Sequence, residues 1–159
     1  MLKRFIIVSL LIFSKLAFAD GFSQFNYVNN ASFNYPSSYS NSMSIGFQLS
    51  SSGGLKQLYS NIFEQSSNED PNQVIRVYQD AGLNNSLDSN PVDLNGVADG
   101  NSHSITLYIK FVSKNSNNIN SSGIFTFNYP IYINNNGTIY NATLNVSANV
   151  RSEERRVGK

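Results

Sequence analysis

Alternation of apolar and polar residues is the dominant pattern of this chain, and it is clearest near the C-terminal end. From Ile139 to Val150 every second residue is apolar, namely Tyr140, Ala142, Leu144, Val146, Ala148 and Val150. The segment from Phe125 to Ile133 alternates in the same way. A period of two places successive side chains on opposite faces of a β-strand. Both segments therefore predict long strands with one buried face and one exposed face.

The residues between these two segments favour a tight turn. Asn134 to Gly137 are three asparagines and a glycine, which tolerate the positive φ angles of hairpin turns. We therefore expect the two strands to form a hairpin. Pro130 has no amide proton to donate to a neighbouring strand, so it predicts an edge or a bulge near the middle of the first arm.

Shorter alternating segments predict more strands, at residues 104–112 and 43–49, with a third candidate at 74–78. Residues 81–101 have a loop composition, with at most one small strand near 92–94. The exception is Leu55 to Phe63, where apolar residues fall at helical spacing and predict one short helix. Strands separated by turn clusters, with at most one short helix, predict an all-β fold, an antiparallel β-sandwich.

The first residues have the features of a secretory signal peptide. Lys3 and Arg4 precede an apolar run from Phe5 to Phe13, and Ala17-Phe18-Ala19 supplies small residues ahead of Asp20. The apolar run is nine residues long, whereas a helix that spans a bilayer needs about 20. We therefore expect residues 1–19 to be a leader that is removed on export.

The last residues differ sharply in composition from those before them. Residues 151–159 carry six charges in nine positions, and this nonapeptide resembles read-through of adaptor or vector sequence. The alternative is a genuine solvated basic tail. We expect the segment to be non-native and assign it no function.

The charge of the region between these ends restricts its partners. Residues 20–150 contain four basic and eight acidic residues, a formal charge of −4. A nucleic-acid interface needs a basic patch that neutralises phosphates, so no nucleic-acid partner is expected. The chain contains no cysteine, so its stability has to come from a hydrophobic core or from assembly rather than from disulfides.

Candidate catalytic and metal-binding residues are few. His103 is the only histidine, and no Gly-x-Ser-x-Gly motif accompanies it. Glu64, Glu69 and Asp70 form no spacing that encodes a carboxylate pair for glycoside hydrolysis, and the remaining acidic residues lack the pattern of a calcium loop. We therefore predict no catalytic residue, no metal site and no cofactor.

The segment before residue 41 is polar and rich in aromatic residues. Phe22, Phe25, Tyr27, Phe33 and Tyr35 are set among serine and asparagine. We expect residues 20–40 to be a flexible polar-aromatic arm that precedes a sandwich domain at residues 41–150.

The leader, the aromatic arm and the long alternating C-terminal strand together resemble subunits of bacterial surface fibres, the fimbrial or pilin-like subunits assembled by the chaperone–usher route. The resemblance implies an incomplete immunoglobulin-like sandwich that a neighbour's N-terminal extension completes by strand addition. It implies other copies or related subunits, a periplasmic chaperone and an outer-membrane usher as partners, and a location at the cell surface after transit through the periplasm.

The same resemblance implies a donor strand over Phe22 to Val28. Its anchors would be Phe22, Phe25 and Tyr27. The first two are three residues apart, so strict alternation holds only from Phe25 to Tyr27.

The alternative hypothesis is a monomeric secreted carbohydrate-binding or adhesin module. Its partner would be a host glycan, on whose sugar faces exposed aromatic rings would stack. The candidate rings are Tyr35, Tyr39, Tyr59 and Tyr140.

Intact-mass spectrometry of the secreted protein tests both ends. The expected N-terminus is Asp20, because cleavage follows Ala19, and the expected product lacks residues 151–159. A mass that retains residues 1–19 would contradict the leader assignment, and one that retains 151–159 would make the tail native.

Overall fold

The computed structural model describes residues 25–35, 38–51, 53–114 and 122–151. The predicted leader, Phe22 and residues 152–159 lie outside these ranges. The described residues form ten strands and one short 3₁₀ turn at Asn95–Val97. The strands are β1 (Phe25–Val28), β2 (Ala31–Tyr35), β3 (Ser40–Gln48), β4 (Lys56–Tyr59), β5 (Glu64–Ser66), β6 (Gln73–Tyr78), β7 (Val92–Asp93), β8 (Ser102–Ser113), β9 (Gly123–Asn135) and β10 (Thr138–Val150). No helix in the described ranges is long and apolar enough to cross a membrane.

The strands form two five-stranded sheets that pack face to face. The first sheet has the order β1-β3-β8-β6-β5 and the second has the order β2-β10-β9-β4-β7. All neighbouring strands are antiparallel except β2 and β10, which are parallel. The predicted all-β, immunoglobulin-like sandwich is confirmed.

The hairpin of β9 and β10 is the longest paired unit of the molecule. Both strands have 13 residues, and they pair from Asn135 opposite Thr138 to Gly123 opposite Val150. Asn136 and Gly137 connect them with φ angles of 51° and 93°. Positive φ at both central residues is the requirement of a type I′ turn, whose twist matches that of the strands. The predicted hairpin is therefore confirmed, and the Asn-Gly pair sets its register.

The helix predicted from Leu55 to Phe63 is wrong. Lys56–Tyr59 is strand β4, which pairs with β9 on one side and β7 on the other. Leu55 and Phe63 are exposed, so the apolar residues at helical spacing do not share a buried face. Leu58 instead fills the core and is fully buried. Burial between two sheets has overridden a weak local periodicity.

The N-terminal boundary also differs from the prediction. Residues 20–40 were expected to lie outside the sandwich as a flexible arm, yet β1 and β2 both belong to its sheets. Ala31 and Phe33 are buried in the core. The sandwich therefore begins well before residue 41, because this segment has apolar side chains that the core can bury.

Pro130 lies inside the second sheet without costing the β9–β10 ladder a hydrogen bond. It is opposite Thr143 of β10, and its carbonyl accepts a hydrogen bond of 2.9 Å from the Ser60 hydroxyl. Strand β4 ends at Tyr59, so β9 has an open backbone edge at this position. The edge predicted from Pro130 is therefore present only on the β4 side of β9, while the β10 side stays paired.

An aromatic cluster joins the two sheets at one end of the core. Phe111 of β8 is 2% exposed, and its ring centroid lies 6.4 Å from that of Phe33, 5.8 Å from that of Phe127 and 6.5 Å from that of Phe125. Offset and edge-to-face contacts of this kind are worth about 0.5–1.5 kcal/mol each beyond the burial of the rings. They connect β8 of the first sheet to β2 and β9 of the second.

Tyr129 provides the main polar contact within the core of β9. The side chain is fully buried, and its hydroxyl donates a 2.7 Å hydrogen bond to the carbonyl of Ile62. Burial raises the pKa of Tyr129 to about 12. The Tyr129 hydroxyl therefore stays protonated in the folded protein at pH values where an exposed tyrosine loses its proton.

Replacing Tyr129 with phenylalanine should lower the free energy of unfolding at pH 7 by about 1 kcal/mol, because the Ile62 carbonyl loses its donor. The folded-state pKa of Tyr129 is higher than the unfolded one, so the tyrosine's contribution is complete below about pH 10 and is lost as the pH rises towards 12. The stability difference between wild type and Tyr129→Phe should shrink across that window. Urea unfolding at a series of pH values measures it.

The matched control is Thr143→Val, which removes a hydroxyl that does not ionise in this range from an exposed position of β10. Its difference from wild type should stay constant over the same pH range. A Tyr129→Phe difference that is equally constant would contradict the role given to burial.

Candidate assembly and binding surfaces

Strand β1 contains two of the three residues predicted to anchor a donor strand. Phe25 packs partly against the core, and Tyr27 lies opposite Gly46 of β3 with nearly half of its side chain exposed. The Tyr27 ring lies directly over Gly46, and a Cβ atom at that position would overlap it. A side chain at position 46 would therefore displace the Tyr27 ring from its place over β3. Phe22 lies outside the described residues.

Strand β2 is the better anchored part of the N-terminal segment, and the sequence analysis did not select it as an anchor. Ala31 and Phe33 are buried, Tyr35 is half-buried with its ring edge-on to Phe111 at 6.1 Å, and Ser32 and Asn34 point outward. The signal was present as alternation over 31–35. The donor strand predicted over Phe22 to Val28 ends before this segment begins.

Together β1 and β2 supply an outer strand to each sheet. The chain leaves β1 at Val28 and enters β2 at Ala31, so it crosses from the first sheet to the second within two residues. In the structure β1 pairs with β3, and β2 pairs with β10, of the same chain. The gap that an incomplete sandwich would leave along this side is therefore occupied from within.

The four tyrosines predicted as stacking residues do not share a surface. Tyr35 and Tyr140 pack partly against the core, whereas Tyr39 is 56% exposed beside β3. Tyr59 lies on the outward face of the second sheet, where its ring stacks on that of Tyr132 with centroids 5.5 Å apart. The structure thus pairs Tyr59 with Tyr132, which is not among the predicted stacking residues.

A row of asparagine side chains crosses the outward face of the second sheet. Asn145 of β10 lies opposite Asn128 of β9, Asn30 precedes β2 beside them, and Asn68 follows β5 at the open edge of β9. The Asn68 amide donates to Asn128 Oδ1 at 2.9 Å, and the Asn128 amide donates to Asn145 Oδ1 at 2.9 Å. We call these four residues the amide row. The two hydrogen bonds fix the orientation of three of its members.

The amide row is held at one end by Glu69 and Thr126. The Thr126 hydroxyl donates to Glu69 Oε1 at 2.6 Å, and its backbone amide donates to Oε2 at 2.7 Å. Thr126 Oγ1 also accepts a 3.0 Å hydrogen bond from the Asn68 amide. The Thr126 hydroxyl, followed by the Thr126 backbone amide, lowers the pKa of Glu69 below its usual value. The carboxylate is therefore ionised at neutral pH and engaged by Thr126.

A surface pocket of about 300 Å3 lies over the amide row. Its lining contains the four asparagines together with Thr126 and Ser147, and the other lining residues are apolar. No residue of this lining carries a charge. The pocket therefore offers neutral donors and acceptors.

His103 takes part in a loop contact. Its Nε2 atom lies 2.8 Å from Asp99 Oδ1, and Asp99 also accepts a hydrogen bond from the Asn101 backbone amide. The Asn101 amide and the His103 ring lower the pKa of Asp99 to about 2. Within the described residues no group of three histidine, cysteine or acidic side chains could hold a metal ion.

Replacing Thr126 with valine should raise the pKa of Glu69 towards its ordinary value, because the hydroxyl that contributes most to lowering it is removed while the backbone amide remains. Carbon-detected NMR titration of the glutamate side chains measures this. Thr143→Val is the matched control, since Thr143 is an exposed threonine of β10. An unchanged Glu69 titration in Thr126→Val would contradict the contact.

Comparison with known proteins places the fold. No family model matches this chain, and no curated protein matches it in sequence. The CooA pilin subunit of enterotoxigenic Escherichia coli is similar in structure, with a TM-score of 0.53 and 12% identity over 79% of this chain and 92% of that one. The CssB subunit of colonization factor CS6 from enterotoxigenic Escherichia coli, solved with a donor strand from CssA, gives a TM-score of 0.47 and 11% identity over 79% of this chain and 96% of that one.

A family 123 glycoside hydrolase from Clostridium perfringens gives a TM-score of 0.40 and 12% identity over 83% of this chain and 27% of that one. Of these three structures, only CooA has a TM-score above 0.5. This chain has the fold of a pilin subunit.

Proposed function

We propose that this protein is an exported structural subunit of a bacterial surface fibre, and that its copies are joined by exchange of N-terminal strands. Its role is mechanical and needs no catalytic residue or cofactor. Its partners are other copies or related subunits, with a periplasmic chaperone and an outer-membrane usher acting during assembly. Its location is the cell surface, reached through the periplasm.

The observation that supports this proposal most directly is the position of β1 and β2. One continuous segment of 11 residues, from Phe25 to Tyr35, provides the outer strand of both sheets and buries Phe33 in the core. If the segment leaves its own sandwich, the edges of β3 and β10 are exposed together with the ring of Phe111. An identical segment from another copy has the hydrogen-bonding groups and side chains that fit that site.

The energetics favour an exchange of this kind over simple addition. A strand exchanged between copies makes the same contacts that it makes within its own chain. The monomer and the exchanged assembly therefore differ mainly in the entropy of association and in the conformation of the connecting residues. Strand β1 is attached to the first sheet on one side only and has an irregular register between Phe25 and Tyr27. It is therefore the natural point at which the segment begins to leave.

The predicted donor residues keep their place in this proposal in a modified form. Phe25 and Tyr27 would belong to the exchanged segment, and Phe22 would extend it. Phe33 would be its principal anchor, because its side chain is 2% exposed whereas that of Tyr27 is 46% exposed.

A disulfide that locks β1 to β3 should prevent assembly. Val28 and Ile45 are directly opposite in an antiparallel pair, where Cα atoms lie roughly 4.5–5.5 Å apart, within the range of disulfides. The chain has no cysteine of its own, so Val28→Cys with Ile45→Cys forms a single defined bond. Under oxidising conditions this variant should remain monomeric, and reduction should restore fibres, as seen by size-exclusion chromatography and electron microscopy.

The control places the same bond at the opposite edge of the first sheet. Ser66 and Val74 are also directly opposite in an antiparallel pair of an outer strand with its neighbour. The Ser66→Cys, Val74→Cys variant should assemble in both redox states. Fibres from the oxidised Val28–Ile45 variant would rule out exchange of β1, and a wild-type chain that stays monomeric on producing cells would rule out the fibre role.

A further inference from the structure

The amide row presents a fixed arrangement of hydrogen-bonding groups to the solvent. Because Asn68 donates to Asn128 and Asn128 donates to Asn145, the unused groups at the two ends are different. Among the described residues, the Asn145 side-chain amide donates to no acceptor and the Asn68 side-chain oxygen accepts from no donor. The hydrogen-bonded part of the row therefore has a free donor at Asn145 and a free acceptor at Asn68. Sugar hydroxyl groups both donate and accept, so they suit the free donor and the free acceptor of the row.

The electrostatics of the pocket select against charged ligands. Its lining has no lysine, arginine, histidine, aspartate or glutamate. The nearest acid described above, Glu69, already accepts two hydrogen bonds from Thr126. An anionic ligand would find no cation to offset its loss of hydration, and a cation would find only neutral oxygens.

The same outward face carries an aromatic platform. Tyr132 and Asn128 are both on the outward side of β9, four residues apart, which is about 13 Å along a strand. Tyr59 stacks on Tyr132 and enlarges the platform. Pro130 and Thr143 lie between the platform and the amide row, and neither is charged.

From these observations we infer that the outward face of β9 and β10 binds a neutral oligosaccharide. The amide row holds the hydroxyls of one sugar ring in a pocket of about 300 Å3, at the lower end of the roughly 300–1,000 Å3 of small-ligand sites. The Tyr59–Tyr132 pair stacks on a second ring further along the chain of sugars. This site is separate from β1 and from the strand-exchange proposal, so either can fail alone.

A structural role for the amide row is the competing explanation, because hydrogen bonds between asparagines on neighbouring strands also stabilise a sheet. The two explanations predict different behaviour on titration with sugar. A binding site gives saturable changes at Asn128, Asn145 and Tyr132 on addition of ligand. A row that only stabilises the sheet gives none.

The experiment is NMR titration of the full mature chain, labelled with nitrogen-15, with maltopentaose, mannopentaose, chitopentaose and lacto-N-tetraose as neutral probes. Sialyllactose is the anionic comparison. At least one neutral probe should shift the side-chain amide signals of Asn128 and Asn145 in a saturable manner. Its dissociation constant should rise about tenfold in Asn145→Ala, as expected for loss of one hydrogen bond to the ligand.

Matched variants separate binding from folding. Asn149→Ala removes an exposed asparagine from the same strand beyond the pocket and should leave the dissociation constant unchanged. Asn145→Asp retains the oxygen that accepts from Asn128 but replaces the donor, so it should weaken binding as Asn145→Ala does while keeping the wild-type backbone spectrum. Tyr59→Ala should weaken the pentasaccharide more than its monosaccharide, and Tyr39→Ala, at an exposed tyrosine elsewhere, should weaken neither.

Three results would overturn the inference. One is the absence of saturable shifts with all four neutral probes at millimolar concentration. Another is an equal loss of affinity in Asn149→Ala and Asn145→Ala, and the third is tighter binding of sialyllactose than of any neutral probe.

Discussion

The burial of Phe111 is the interaction on which the rest of this sandwich depends. A domain with no cysteine has only its core to hold two sheets together, and Phe111 is where β8 of one sheet meets β2 and β9 of the other. Its contacts with Phe33 and Tyr35 also fasten the N-terminal segment. The stability of the whole domain and the retention of one short segment therefore rest on the same ring.

The N-terminal segment is therefore both part of the core and part of the sheet edges. It completes the core through Phe33, yet its backbone pairs only at the outer edges of the sheets. An edge strand presents unpaired groups that natural proteins usually protect. Here β1 is short and irregular, which limits its pairing with unrelated chains. The contacts of β2 are therefore the main interactions that keep the N-terminal segment in its own sandwich.

Much of the fold follows from period-two patterning alone. The β9–β10 hairpin, β3 and β8 were predictable because each has a strictly alternating face and turn residues at its ends. The strand within residues 55–63 was not predictable from the sequence. Four apolar residues there have helical spacing, whereas the two buried residues of β4 are Lys56 and Leu58, and a lysine gives no apolar signal. The N-terminal strands were missed for a related reason, because serine and asparagine at outward positions look the same in a flexible arm and in an edge strand.

The candidate binding surface could not be derived from the sequence. Asn30, Asn68, Asn128 and Asn145 are far apart in a chain with many asparagines, and only strand register brings these four into one row. Tyr132 pairs with Tyr59 through the same register. The alternation of β9 shows which residues face outward, but it does not show which neighbours they meet.

Because the amide row is uncharged, the strength of its hydrogen bonds depends little on the salt concentration of the surrounding solution. Dissolved salt screens charges over a Debye length of about 8 Å at physiological ionic strength, and it weakens a partly exposed ion pair such as Arg76 with Glu64, whose atoms lie 3.3 Å apart. Hydrogen bonds between uncharged amides have no net charge to screen. A surface built from them keeps its strength in dilute and in concentrated brine alike.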